Sequence, residues 1–339
     1  GFNTLQIDDL KVKDMAGNVV IYGKKTTAGI SLLMPTRLNR IDVYNGIVNL
    51  ERRKNNDFNI FHVIKKDPKK PQTYDPTSRI GKLYIHNATV NYTDTSFSKK
   101  ISKTLTKVNG KLETAKSRGF SIVAKGIGNK NEDGTVEALK IELKQILKSK
   151  QSIYSMFDKI KNSDARRKDF RLNFSFENVG IKEELGQYVP LEMIKAKGGI
   201  LNGVLKLEND KVKKTTHALG SLKIRNGKIS YVDLDGDIEG ANAVIDLKKD
   251  KITVNASTKL KESPVTFTLA YLIQDQKINL KLAADNLPFE EAARYKIIKN
   301  AKIDAQGKVT ANLEVNSDIK KKKTTVDGKF SSSNIKLAN

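Results

Sequence analysis

Chemistry in a chain without cysteine falls first to its histidines, and this one has three: His62, His86 and His217. Histidine carries protons near neutral pH and ligates transition metals. Either task needs two or more such groups at a defined spacing. The three here lie in different stretches with no common spacing, so neither task is expected of them. The run Asp233-Leu-Asp235-Gly-Asp237 resembles the opening of a calcium loop. An EF-hand loop needs Gly at its sixth position and an acidic residue at its twelfth. The twelfth position is Val244, so the run reads as a hairpin turn. Gly126-Ile-Gly128 lacks the third glycine and the helix of a dinucleotide fingerprint. No Ser/His/Asp set, carboxylate pair or phosphate loop stands out. The residues point to a non-enzymatic chain, with no cofactor and no metal.

The elements around these residues are strands. Apolar and polar residues alternate at period two in Leu205-Leu207, Leu222-Ile224, Ile252-Val254-Ala256, Val265-Phe267-Leu269-Tyr271 and Ile278-Leu280-Leu282. Such alternation marks a strand with one covered face and one wet face. Asn45-Gly46, Asn109-Gly110, Asp133-Gly134, Asn226-Gly227, Asp235-Gly236 and Asp327-Gly328 read as turns between strands. Continuous apolar runs of the parallel-sheet kind are absent, which favours antiparallel meanders.

The strands repeat. Gly220, Leu222, Ile224, Asn226, Ile229 and Tyr231 recur 139 residues earlier as Gly81, Leu83, Ile85, Asn87, Val90 and Tyr92. A looser copy holds Ile41, Val43, Asn45, Gly46, Val48 and Leu50. At an offset of 108, Asn178 matches Asn286, Gly199 matches Gly307 and Gly220 matches Gly328. Repeats bury their faces on neighbours, so this register sets the architecture. The second copy stops in mid-series at KFSSSNIKLAN, which suggests a segment of a longer repetitive protein.

Three places depart from alternation. Residues 146–162 place Ile146, Ile153, Phe157 and Ile160 on one helical face, and a charged loop follows to 169. EELGQYV at 183–189 and FEEAARY at 289–295 each suggest a turn or two of helix. Lys65 to Pro76 reads as a Pro/Lys loop. The expected organisation is an N-terminal β segment over 1–145, a helix and charged loop over 146–169, and β repeats over 170–339.

Apolar residues make up 38% of the chain and aromatics 6%, thin for a large closed core. The net charge is +24. Such a charge suits nucleic acid or anionic lipid, or simply lysine on every wet face. The lysines alternate with apolar residues instead of clustering, and the aromatics sit at inward strand positions, so nucleic acid is not expected as a partner. No apolar run approaches the roughly 20 residues that span a bilayer as a helix.

At DFNIFHVIKKDPKKP, residues 57–71, a D-x-N-I strand enters a Lys/Pro loop, and RIGKLYIHNATVNYTD follows. A second signature holds Ala284, Asn286, Leu287 and Pro288, then a short helix, then Gly307, Val309, Ala311 and Leu313. It occurs again as Asn178 and Val179 with Gly199, Leu201, Gly203 and Leu205, with Gly180 where the other copy has Pro288. These features resemble the AsmA-like superfamily of bacterial envelope proteins, its TamB branch in particular. The resemblance covers about residues 20–337.

The resemblance implies a mainly β chain forming an elongated, curled antiparallel sheet, a U-shaped groove or β-taco with an apolar interior. It implies a periplasmic location in a diderm bacterium, with an N-terminal helix anchored in the inner membrane. The implied function is transfer of phospholipids between the inner and outer membranes along the groove. The implied partners are phospholipid acyl chains and an outer-membrane barrel of the Omp85 type. Strand spacing of about 4.8 Å and roughly 22–26 strands would give a groove on the order of 100–125 Å long.

Candidates for its lining are Ile41, Val43, Leu83, Ile85, Leu205, Leu207, Leu222, Ile224, Val254, Phe267, Leu269, Leu280 and Leu282. A closed sandwich core would use the same residues. Two further functional readings remain: an assembly factor for outer-membrane barrels acting by strand addition, and a repetitive surface scaffold.

Overall fold

The computed structural model describes residues 4–30, 38–54, 57–62, 80–115, 119–145, 170–182, 194–210, 215–300 and 305–337. The fold is mainly β: among the described residues eighteen strands belong to one sheet, paired mostly antiparallel. The chain divides into two compact units, Gly1–Glu177 with Lys206–His217, and Asn178–Leu205 with Ala218–Asn339.

The first unit holds β1 (Thr4–Lys13), β2 (Val19–Ile30), β3 (Leu38–Tyr44), β4 (Ile47–Arg53), β5 (Asp57–Phe58), β6 (Ile80–Asp94), β7 (Ile101–Ala115), β8 (Gly119–Lys130), β9 (Val136–Gln145) and most of β10 (Phe170–Gly180). β6 to β10 form an antiparallel meander. β3 and β4 both pair with β2 antiparallel and with β6 in parallel. A parallel neighbour needs a crossover. The chain between Arg53 and Ile80 supplies it, and includes a 3-10 turn at Asn59–His62.

The second unit holds most of β11 (Ile194–Asp210) and β12 (Thr215–Tyr231), then β13 (Asp237–Leu247), β14 (Lys251–Leu260), β15 (Ser263–Leu272), β16 (Lys277–Pro288), β17 (Ala305–Asp318) and β18 (Lys323–Leu337). From β12 to β18 each strand pairs antiparallel with the next. Two short helices, α1 (Phe289–Ala292) and α2 (Lys296–Asn300), connect β16 to β17, at the site where FEEAARY was expected to turn. The expected amphipathic helix at 146–162, the helical turn at 183–189 and the loop at 65–76 lie outside the described residues.

The strands are longer and, among the described residues, fewer than the sequence suggests. The reason is the Asn-Gly pairs. Asp133-Gly134 and Asp235-Gly236 do form turns. Asn109-Gly110, Asn226-Gly227 and Asp327-Gly328 instead lie inside β7, β12 and β18. Asn45-Gly46 separates β3 from β4, but the two share the same neighbours and continue one another as a single interrupted strand.

The repeated asparagines are bulge residues. Asn45, Asn87, Asn178, Asn226, Asn286 and Asn334 all have φ between 50° and 55°. Asparagine tolerates this left-handed state better than most residues. The pairing register slips beside Asn87, Asn226, Asn286 and Asn334, as a bulge requires. A bulge leaves a backbone N–H unpaired on the ladder, and the adjacent strand supplies an acceptor. Asn87 N–H donates to Asn109 Oδ1 at 3.1 Å, and Asn178 N–H to Asn202 Oδ1 at 2.9 Å. Asn226 N–H donates to Asn242 Oδ1 at 3.4 Å, and Asn286 N–H to Thr310 Oγ1 at 3.1 Å.

The bulges align between neighbours: Asn87 Nδ2 donates to Asn45 Oδ1 at 2.8 Å, and Arg225 Nη2 to Asn178 Oδ1 at 3.3 Å. Each bulge bends its strand and adds right-handed twist, so an aligned set curls the sheet locally.

Candidate functional site

Register turns the alternation into continuous rows. In the second unit, Leu222, Ile245, Val254, Leu269, Leu280, Val315 and Val326 stand opposite one another across seven strands. Beside that row run Ile224, Ala243, Ala256, Phe267, Leu282, Leu313 and Gly328. Six inter-strand steps of about 4.8 Å make each row roughly 29 Å long. The opposite face carries Ser221, Asp246, Thr253, Ala270, Asn279, Asn316 and Thr325.

The first unit is built alike. Ala28, Ile41, Leu83, Leu112, Ile122, Leu143 and Leu172 form one row. Val43, Ile85, Gly110, Ala124, Ile141 and Phe174 form the next. Its other face carries Lys82, Glu113, Ser121, Lys144 and Arg171.

All thirteen lining candidates are half-exposed, neither buried nor freely solvated. Leu222, Ile224, Val254, Phe267, Leu269, Leu280 and Leu282 fall in the two rows of the second unit. Leu205 lies beside them on β11, its Cα 3.2 Å from where a Cβ on Gly220 would sit. Ile41, Val43, Leu83 and Ile85 fall in the rows of the first unit, and Leu207 is half-exposed on its part of β11. Half of the fully buried apolar residues among those described are alanines: Ala28, Ala88, Ala241 and Ala284. A closed sandwich would bury its large aliphatics instead.

Ile245, Val315 and Leu313, and in the first unit Leu112, Ile122, Leu143, Leu172 and Phe174, join the rows without having been among the lining candidates. Their alternation was legible. Their place opposite a neighbour depends on where each bulge falls.

Two shallow depressions lie on the wet face of the second unit. One, of 480 Å³, lies among Lys251, Lys277, Asn279, Asn316, Asp318 and Lys323. The other, of 500 Å³, lies among Lys223, Arg225, Asn242, Asn255, Thr266 and Thr268. Several lysines on the wet faces meet acids, across strands as in Lys281–Glu314 at 3.2 Å or along one strand as in Lys140–Glu142 at 2.5 Å. Exposed pairs of this kind contribute little to stability. They do show the positive charge spread over solvated faces.

The histidines stay apart. His62 bonds Asp57 Oδ2 at 2.8 Å beside the 3-10 turn, and His217 is half-buried on β12. Among the described residues no group of three His, Asp or Glu side chains is placed to hold a metal. The acidic run at 233–237 forms the β12–β13 turn. Two of its carboxylates are taken by lysines: Asp235 by Lys299, and Asp237 by Lys197 at 2.7 Å and Lys228 at 3.5 Å. Arg294 ties the turn to α1, donating to the carbonyls of Asp235 at 2.9 Å and Asp237 at 2.8 Å.

His86 belongs to an ion cluster on the wet face of the first unit. Asp42 accepts from Arg40 Nε at 2.6 Å and Nη2 at 2.7 Å, and lies 2.9 Å from His86 Nε2. Arg40 sits over the Tyr84 ring at 4.4 Å, and His86 stacks on Tyr44 at 4.6 Å. The cluster joins β3 to β6. The Arg40 hydrogen bonds, helped by His86, hold the Asp42 carboxyl below its ordinary value of 3.8 although burial opposes this.

A depressed carboxylate stabilises the fold above its unfolded value and ceases to as pH falls through its folded value. Asp42→Asn is therefore expected to cost on the order of 1–3 kcal/mol at neutral pH. The gap between variant and parent should narrow below pH 3.8. Urea unfolding by circular dichroism at a series of pH values checks this. A gap independent of pH would refute it.

The chain was compared with protein-family models, curated proteins and solved structures. It matches none of them.

Proposed function

We propose that the half-exposed apolar faces bind phospholipid acyl chains, and that the chain is a segment of a periplasm-spanning lipid-transfer protein of the AsmA-like kind. The observation carrying this reading is the pair of adjacent apolar rows, unbroken by charge across seven strands of the second unit. Burying a methylene is worth about 0.8 kcal/mol, so a sixteen-carbon chain in water is unfavourable by on the order of 12 kcal/mol. A continuous aliphatic surface offsets that without any single binding residue. A chain sliding along it meets equivalent neighbours at each strand. Leucine, isoleucine and valine suit the task because they offer area without fixing one pose. Lysines on the wet faces and rims would meet lipid phosphates.

Delivery to an outer-membrane barrel partner of the Omp85 type belongs to the same proposal, as does anchorage in the inner membrane. None of the described helices is long and apolar enough to cross a membrane.

The test is extraction of the purified protein with organic solvent, followed by mass spectrometry. The expected result is phospholipid in stoichiometric amount, retained through detergent-free gel filtration. A lipid-free extract from protein expressed in a diderm host, together with no uptake of fluorescent phospholipid from vesicles, would overturn it.

A further inference from the structure

In an antiparallel meander alternate turns share a rim. One rim of the second unit holds the β13–β14, β15–β16 and β17–β18 turns. Two of these are built alike. Residues 273–276 and 319–322 each make a four-residue turn that opens on an isoleucine and closes on a left-handed residue, Gln276 at φ 53° and Lys322 at φ 51°. Each hooks onto the turn before it. The Ile273 N–H donates to the Asp250 carbonyl at 2.9 Å, and the Ile319 N–H to the Gln276 carbonyl at 3.0 Å. Lys320 Nζ donates to the Gln274 carbonyl at 2.6 Å. The three turns therefore form one continuous rim, with its two isoleucines held two strand spacings apart, roughly 9.6 Å.

These side chains are exposed, Leu272 and Ile273 at 37% and Ile319 at 47%. Turns favour Gly, Pro, Asn, Asp and Ser, so an exposed isoleucine opening both is unusual. Around them stand Lys248, Lys249, Lys251, Lys277 and Lys320–Lys323, against Asp250, Asp275 and Asp318. Among the described residues one ion pair falls on this rim, Lys321 with Asp318 at 3.9 Å.

The opposite rim differs. There cations meet acids: Lys299 with Asp235, Lys197 with Asp237 at 2.7 Å, Lys261 with Glu290 at 2.7 Å and Arg294 with Glu291 at 2.6 Å. One rim is neutralised from within, and the other keeps its positive charge for an outside partner. Exposed aliphatics among uncompensated lysines match the boundary between phosphate headgroups and acyl chains in an anionic bilayer. The ammonium groups reach the phosphates while their stems and the isoleucines leave water. Nucleic acid fits less well, because these turns offer no aromatic ring for bases to stack on.

We propose that residues 248–251, 272–277 and 318–323 form a membrane-docking rim. It seats the second unit on an anionic bilayer surface, with Ile273 and Ile319 entering the headgroup layer. Such docking does not need acyl chains on the apolar rows. Docking is read on vesicles and the acyl-chain reading on lipid retained in the organic extract, so either can fail alone.

The chain has no tryptophan, so Ile319→Trp supplies a single reporter. The full chain is titrated with vesicles of phosphatidylcholine, alone or mixed with phosphatidylglycerol. With the mixed vesicles the emission should shift to the blue and be quenched by lipids brominated near the top of the acyl chain. Replacing Lys248, Lys249, Lys320 and Lys321 together by Gln should weaken binding at least about 20-fold, since each lysine close to an anionic surface is worth about fivefold. The same loss of charge in the first unit, at the exposed Lys11, Lys24, Lys25 and Lys125, should weaken it less than about threefold, because charges away from the contact are screened. Ile273→Ser combined with Ile319→Ser should weaken it roughly tenfold. Circular dichroism should be unchanged throughout. An equal loss in the first-unit variant, a tryptophan spectrum that does not move, equal binding to phosphatidylcholine alone, or no binding would each overturn the proposal. A single-stranded oligonucleotide that displaces the protein from the vesicles and binds more tightly than they do would overturn it in favour of nucleic acid.

Discussion

Gly220→Ala is expected to be among the most destabilising single changes in the chain. Gly220 has φ 140°, and a Cβ there would lie 2.0 Å from the Val204 carbonyl oxygen. Across from it, a Cβ on Gly203, with φ 133°, would lie 2.1 Å from the Ser221 carbonyl oxygen. These glycines let β11 and β12 approach backbone to backbone. Neither obstacle is a side chain that could swing aside, so the strands must part. The left-handed strain and the overlap together should cost on the order of 3–5 kcal/mol. That is a large part of the stability of an ordinary domain. Urea unfolding by circular dichroism reads the loss directly. Gly198→Ala is the control, since the nearest atom to its added carbon is Lys228 Cβ at 3.4 Å. Equal stability of the two variants would show that β11 and β12 do not approach as described.

The second large effect concerns lipid. Leu222→Asp and Leu282→Glu each set a charge within one of the two adjacent rows of the second unit. Both positions are half-exposed, so the carboxylate remains hydrated in the lipid-free protein and the sheet keeps its pairing. An acyl chain lying over the row would strip that water. Excluding the few methylenes nearest the charge, at about 0.8 kcal/mol each, lowers retained phospholipid by at least about tenfold. The readout is lipid-to-protein ratio in the organic extract, with circular dichroism confirming an unchanged sheet. Unaltered loading in both variants would remove the apolar rows from any account of lipid binding. The matching change on the wet face, Lys281→Glu, should leave loading near that of the parent.

Most of the strand pattern could be read from residues alone, because period-two alternation reports directly which side of a strand is covered. Leu222, Ile224, Leu280 and Leu282 share a face for that reason, and the structure places them there. What could not be read was the meaning of Asn-Gly. The left-handed backbone that asparagine tolerates serves a hairpin turn and an internal bulge equally well. Asn226-Gly227 therefore looked like the end of a strand when it is the middle of one. The consequences spread from that point. Strands of 15 to 17 residues, β7, β12 and β18, were divided in the reading, and the strand count rose accordingly.

The parallel pairing of β3 and β4 with β6 was hidden for a related reason. Ile41 and Val43 alternate as any antiparallel strand would, and only the path of the chain between Arg53 and Ile80 makes the neighbour parallel. The acceptors Asn109, Asn202, Asn242 and Thr310 carried no recognisable signal singly. Paired with Asn87, Asn178, Asn226 and Asn286 two dozen or fewer residues away, they form a pattern that a search for repeats alone would pass over.

The bulges at Asn87, Asn178, Asn226 and Asn286 are each closed by the strand beside them, and each apolar row is built strand by strand. Apart from the segment after β16, where Arg294 and Lys299 reach back to the β12–β13 turn, the apolar rows of the β12–β18 meander are set by adjacent strands alone. Gene duplication could therefore add a hairpin, or deletion remove one, and change the row by two spacings, roughly 9.6 Å, without breaking a register elsewhere. Reach becomes a quantity that evolution can set in whole hairpins, much as a ladder is cut to the height of a wall.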